Sequence, residues 1–171
     1  MNILICRWDI FVYPDILDTL KNEGHLCDVL DFSAIKMRDE DIAFFSKTLE
    51  AKISGINSNF QNNFPAVNSP KNNLSPLPLS EKTSEKLTKY DAVFSVNYFS
   101  YIAEVCHRQN IRYICYNVDS PLLNMQHPSV NYQTNCIYTF DSSEAKHFNN
   151  NGTDTVHYLP LCTNTKRVQA L

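Results

Sequence analysis

Short apolar runs alternate with helically spaced apolar positions along most of the chain. Residues 3–6 (ILIC) are continuously apolar, as in a strand buried on both faces. Tyr13, Ile16, Leu17 and Leu20 then recur at helical spacing, with Pro14 in a first-turn position and Gly24 where a left-handed residue ends a helix. Residues 25–32 (HLCDVLDF) predict a second strand, and Ile42, Phe45, Leu49 and Ile53 a second helix. Strand, helix, strand, helix in that order predicts a parallel sheet with right-handed crossovers.

The rhythm breaks over residues 54–80, where 27 positions hold seven Asn, five Ser and four Pro. So little apolar material predicts a long surface loop or a disordered insertion, with a lid over a site as the sharper alternative. Ser80 then caps a short charged helix (EKTSEKLTK), and apolar runs at 92–96, 111–116, 136–140 and 155–159 predict four more strands. Ile102, Val105 and Cys106 mark the helix after the third strand, and Ser142 caps one that carries Ala145 and Phe148 and ends at Gly152. The fold class is α/β: a doubly wound, Rossmann-like, mostly parallel six-stranded sheet in a single domain over residues 1–168.

Composition removes several function classes. The chain has 171 residues, enough for one domain with a real core. Lys and Arg number 15 against 18 Asp and Glu, a formal net charge of −3, which argues against a nucleic-acid module or a polybasic membrane binder. With 3 glycines there is no G-x-G-x-x-G or G-x-x-x-x-G-K-[ST] loop to cradle phosphate. No apolar run approaches a membrane span, and the N-terminus is apolar without a basic leader. Cys6, Cys27, Cys106, Cys115, Cys136 and Cys162 read as small hydrophobes of a reducing compartment. The nearest metal-like pairs, His25 with Cys27 and Cys106 with His107, match no known ligand spacing, so neither metal nor cofactor is expected. The expectation is a soluble cytoplasmic protein.

Doubly wound sheets bind ligands outside the carboxyl ends of their strands, near the point where strand order reverses. The loops so placed are Arg7-Trp8-Asp9, Asn97-Tyr98-Phe99, residues 117–121, Phe140-Asp141-Ser142 and residues 160–164. They hold aromatic, amide and carboxylate groups and little positive charge. That mixture suits a neutral, hydroxyl-rich ligand such as a sugar, whose C–H faces stack on rings and whose hydroxyls bond to amides. A phosphate would want more cations or a glycine-rich helix start.

The runs YDAVFSVNY (90–98), YICYNVDSP (113–121), YTFD (138–141) and YLPL (158–161) form an ordered series. It resembles the N-terminal half of the CgeB-like (spore-maturation-protein-like) glycosyltransferases, a bacterial family with a two-domain GT-B fold in the glycosyltransferase group 1 superfamily. Asn97, Asn117-Val118-Asp119, Asp141-Ser142 and Pro160-Leu161 stand where those enzymes place their strand-end polar motifs. The likeness covers 88–168 well and 1–53 loosely. It implies an acceptor-side domain that transfers a sugar from a nucleotide-sugar donor to a sugar-type acceptor. It also implies that the donor-binding half, entered through a linker beginning at 169–171, comes from a C-terminal domain or a partner chain. One wall of a cleft cannot hold both reactants, so these residues alone are expected to be inactive.

Asp119 is the candidate for chemistry, positioning or deprotonating an acceptor hydroxyl; capping the next short helix is the competing role. Retaining transfer would need no such base. Arg7, Trp8, Asn97, Tyr98, Phe99, Asn117, Ser120 and Asp141 are the candidate acceptor-binding residues. Arg7 and Trp8 could instead be a surface Arg stacked on Trp, and Asn97 a turn residue. Asp31 ends the second strand like a ribose-binding acid, but without the glycine-rich turn a solvated strand-end Asp is preferred. The five His show no partner spacing. A receiver domain fails for want of a Lys after the fifth strand, and a serine hydrolase for want of G-x-S-x-G. What survives beside the transferase is a non-catalytic sugar- or protein-binding module.

Overall fold

The computed structural model describes residues 1–33, 38–55 and 90–162. Most of the stretch 54–80, the helix expected after Ser80, Thr163-Asn164 and the linker at 169–171 lie outside the described residues. The elements run β1 (Asn2–Arg7), α1 (Tyr13–Asn22), β2 (Leu26–Asp31), α2 (Asp39–Ile53), β3 (Ala92–Val96), α3 (Ser100–Arg108), β4 (Arg112–Asn117), β5 (Asn135–Thr139), α4 (Ser142–Asn150) and β6 (Val156–Tyr158). Two 3₁₀ turns, Leu123–Gln126 and Pro128–Asn131, fill the β4–β5 connection.

The six strands form one sheet in the order β2-β1-β3-β4-β5-β6, and every pairing is parallel. The chain therefore steps left once, from β1 to β2, and afterwards steps right. Right-handed crossovers put α1 on one face and α2, α3 and α4 on the other. The period of two along β1 matches this division. Ile3 and Ile5 pack against Tyr13, Leu17 and Leu20 of α1, with Phe94 of β3 beside them. Leu4 and Cys6 face the other way, into a larger cluster with Val93, Tyr113, Cys115 and Ile137. Phe45 and Leu49 of α2 and Ile102, Val105 and Cys106 of α3 close that cluster from above. Each such fully buried aliphatic side chain contributes about 1.5–3 kcal/mol through removal from water.

Local signals explain the helix ends. Pro14 lies in the first turn of α1, where its missing N–H costs nothing. Gly24 and Gly152 take φ of 81° and 83° just past α1 and α4, the left-handed exit glycine reaches without strain. At α4 the cap is Asp141 rather than Ser142, which is the first helical residue. Cys6, Cys106 and Cys115 are buried and unpaired, and burial pushes their thiols well above the ordinary range, as expected of core hydrophobes. No helix among the described residues is long and apolar enough to cross a membrane.

Candidate functional site

Strand order reverses beside β1, which lies between β2 and β3. The carboxyl ends of β1, β3 and β4 therefore define the crevice, with β2 and β5 at its margins.

At the β1 end, Arg7 stands in register with Asp31 of β2. Their charged groups approach to 3.6 Å with both side chains half exposed, a contact that solvent leaves nearly neutral for stability. The guanidinium lies 5.1 Å from the ring centre of Tyr13, so its aromatic partner is that tyrosine and not Trp8. Trp8 turns inward. Its Nε1–H donates to the Val96 carbonyl at 2.6 Å, and its ring meets Phe99 edge-on at 5.7 Å.

At the β3 end, Asn97 is buried and takes φ of 63°, the left-handed region. All four of its polar groups are bonded. The backbone N–H donates to Tyr116 O at 2.9 Å, and the carbonyl accepts from Ser95 Oγ at 2.7 Å. Side-chain Oδ1 accepts from the Val118 N–H at 2.8 Å, and Nδ2 donates to Asp119 Oδ2 at 2.6 Å. Asp119 itself is exposed and does not cap the following turn, whose N-cap is Leu122. No cation pairs with its carboxylate among the described residues.

The residues next to Asn97 and Asp119 point elsewhere. Tyr98 is fully buried, bonded through its hydroxyl to Ser129 Oγ at 2.6 Å and tilted against Tyr113. Burial pushes its phenol far above the usual value. Phe99 is buried against Trp8 and Phe32. Asn117 is fully buried too, with Oδ1 3.9 Å from the Cys115 thiol. Of the candidate acceptor-binding residues, these three and Asn97 offer no surface to a ligand.

At the β5 end, Asp141 Oδ1 accepts from the Ser143 and Glu144 amides at 2.8 and 3.3 Å, and Ser120 Oγ donates to Oδ2 at 3.1 Å. The two amide bonds hold the Asp141 carboxyl below its ordinary value. Thr139 Oγ1 accepts from the Asp141 N–H and donates to Glu144 Oε2, so the helix start is a capping box with one hydroxyl inserted. Asp141 is thus committed to α4, and Ser120 to Asp141.

Trp8 and Asp119 are anchored on consecutive residues of the β3 end, Val96 and Asn97. Two apolar side chains that sequence reasoning passed over are exposed in the connections after β1 and β4. Phe11, after β1, is 77% exposed, and Leu123, after β4, is 80% exposed. The only signal for Phe11 was its position outside the helical series that begins at Tyr13. Tyr158 at the end of β6, and Leu159 and Leu161 after it, are exposed apolar side chains as well.

An aromatic ring, a fixed carboxylate without a paired cation among the described residues and nearby loops bearing exposed apolar side chains are the groups that bind a neutral ring with hydroxyls. The start of α1 does not make a phosphate cradle: Pro14 removes one N–H and Asp15 adds negative charge in the first turn. Comparison with known proteins finds no family model, no curated protein and no solved structure that matches this chain.

Proposed function

We infer that this domain is the acceptor side of a two-domain, CgeB-like bacterial glycosyltransferase acting in the cytoplasm, with its sugar-type acceptor held at the carboxyl ends of β1, β3 and β4. The observation that carries the reading is Asp119: exposed, fixed by Asn97, without a paired cation among the described residues, and held at the same β3 end to which Trp8 is bonded. In this scheme the carboxylate orients an acceptor hydroxyl and takes its proton as the oxygen attacks the anomeric carbon of the donor. The bond from that carbon to the nucleoside diphosphate breaks, and the diphosphate leaves with the donor-binding domain. Phe11 and the part of the half-buried Trp8 left open to solvent offer apolar surface for the acceptor ring. The exposed Leu123, Leu159 and Leu161 provide apolar surface for a second domain to cover. The ordered series of strand-end motifs supports the same parentage.

Trp8 is the only tryptophan in the sequence, so its fluorescence reports the crevice directly. Titration with glucose, galactose, mannose and N-acetylglucosamine is expected to give a saturable change with at least one of them, weakened about tenfold in Asp119→Asn, and none with uridine diphosphate alone. Silence toward every sugar in folded protein sinks the transferase reading. A response only to a protein partner establishes the binding-module alternative, which the exposed Phe11 and Leu123 favour.

A further inference from the structure

We propose that Asn97 is a positioning residue: its buried amide presets the Asp119 carboxylate and the start of the β4 loop, and it does not itself touch the ligand. The proposal rests on Asp119 being the ligand-facing group of the crevice.

Three observations lead to it. First, Asn97 cannot reach a ligand, because it is 3% exposed and every polar group it has is already bonded. Second, its amide spans the gap between β3 and the β4 loop with both ends in use. Oδ1 fixes the Val118 backbone and Nδ2 fixes the Asp119 carboxylate, at 2.8 and 2.6 Å. Third, its backbone sits at φ 63°, a conformation glycine adopts at no cost. A turn needing only that φ is best served by glycine; asparagine supplies the same turn together with an amide aimed across it. The side chain therefore explains the residue where the turn alone does not.

The consequence is chemical. A carboxylate on a loop samples several rotamers, and ordering it costs binding free energy at the moment the ligand arrives. Here the ordering is done by a neutral donor. A lysine or arginine at the same place would hold Asp119 equally well and cancel the charge a hydroxyl needs as an acceptor. Asn97 fixes the group and leaves its negative charge in place.

The test uses the full chain labelled with ¹⁵N. In the ligand-free wild type, the Asn97 side-chain proton bonded to Asp119 should lie downfield and move as the solution is acidified. In Asp119→Asn it should not move with pH. Asn97→Gly keeps the turn and removes the amide: circular dichroism should stay unchanged while Val118 amide exchange accelerates about tenfold. Asn97→Asp keeps an acceptor for the Val118 N–H but turns an oxygen on Asp119, so exchange at Val118 stays slow. Both variants should weaken the Trp8-detected sugar by about tenfold, as Asp119→Asn does, and neither loss should add to that of Asp119→Asn. Unchanged affinity in both variants, or losses that add, overturns the proposal. If wild type binds no sugar, the reading of the crevice fails separately, and the pH-dependent side-chain signal decides Asn97 alone: a signal that ignores pH overturns it.

Discussion

The hydroxyl of Tyr90, just before β3, donates to Asp28 Oδ2 on β2 at 2.5 Å, and Lys52 Nζ at the end of α2 reaches the same oxygen at 2.9 Å. Burial alone would push the Asp28 carboxyl up, but the bonds from Tyr90 and Lys52 outweigh it and hold the group below its ordinary 3.8. Tyr90 moves the other way: burial, then the Asp28 carboxylate, drive its phenol far above 10.0. The signs set two windows. The Asp28 contribution to stability is present above about pH 4 and is lost as pH falls through the depressed folded-state value. The Tyr90 contribution is complete below about pH 10 and is lost as pH rises toward its raised folded-state value. Tyr90→Phe should cost about 1 kcal/mol near neutral pH, modest because Asp28 is half exposed. It should also move acid unfolding to higher pH; urea melts at pH 3, 4 and 7 check both effects.

Capping by Asp141 predicts that Asp141→Ala lowers the thermal midpoint while Ser142→Ala leaves it in place. Asp141→Asn should retain most of the stability, since asparagine caps nearly as well. The depressed carboxyl adds a pH signature: the wild-type advantage over Asp141→Ala should shrink as pH drops below about 4. Differential scanning calorimetry at two pH values measures all of this.

Ser129 and Tyr98 share a buried bond, and His127 Nδ1 meets Ser129 Oγ at 2.7 Å on the outer side. Ser129→Ala leaves the Tyr98 phenol short of a hydrogen bond and should cost about 1–3 kcal/mol. With Tyr98→Phe already in place, the further cost of Ser129→Ala should be much smaller, a coupling a double-mutant cycle reads directly. Because Tyr98 faces the core, Tyr98→Phe should leave Trp8-detected sugar binding unchanged.

Leu49→Ala, at a fully buried position of α2, should cost about 2–5 kcal/mol. Leu123→Ser, at the exposed edge, should change stability by less than about 0.5 kcal/mol. Any effect of Leu123→Ser on sugar or partner binding is then attributable to the crevice.

The β1 run and the Tyr13, Ile16, Leu17, Leu20 series made the opening of the fold readable, because burial on both faces and a 3.6-residue period leave distinct traces. The crevice was readable as a set of loops and not as a set of side chains. Alternation ends where the strand ends: beyond the left-handed turn at Asn97, Tyr98 and Phe99 are neighbours in sequence and both lie inside. No period in the sequence states that. The cap of α4 was written in the Asp141-x-x-Glu144 spacing, yet Ser142 is an equally acceptable cap by residue type, and the choice falls to geometry. The strand order, and so the crevice beside β1, comes from pairings distant in sequence.

One of those pairings bears on how the protein is made. β1 is made well before β3: the backbone of Asn2 waits for Asp91, 89 positions later, before its second neighbouring strand exists. At synthesis rates of about 5–20 residues per second, that wait lasts roughly 5–20 s. Through that interval β1, α1, β2 and α2 exist without β3, and the edge of β1 that β3 will cover has no partner from that strand. A strand edge of this kind pairs with whatever is extended nearby. Yield in the cell should therefore respond to chaperone supply and translation speed more steeply than the stability of the finished fold would suggest.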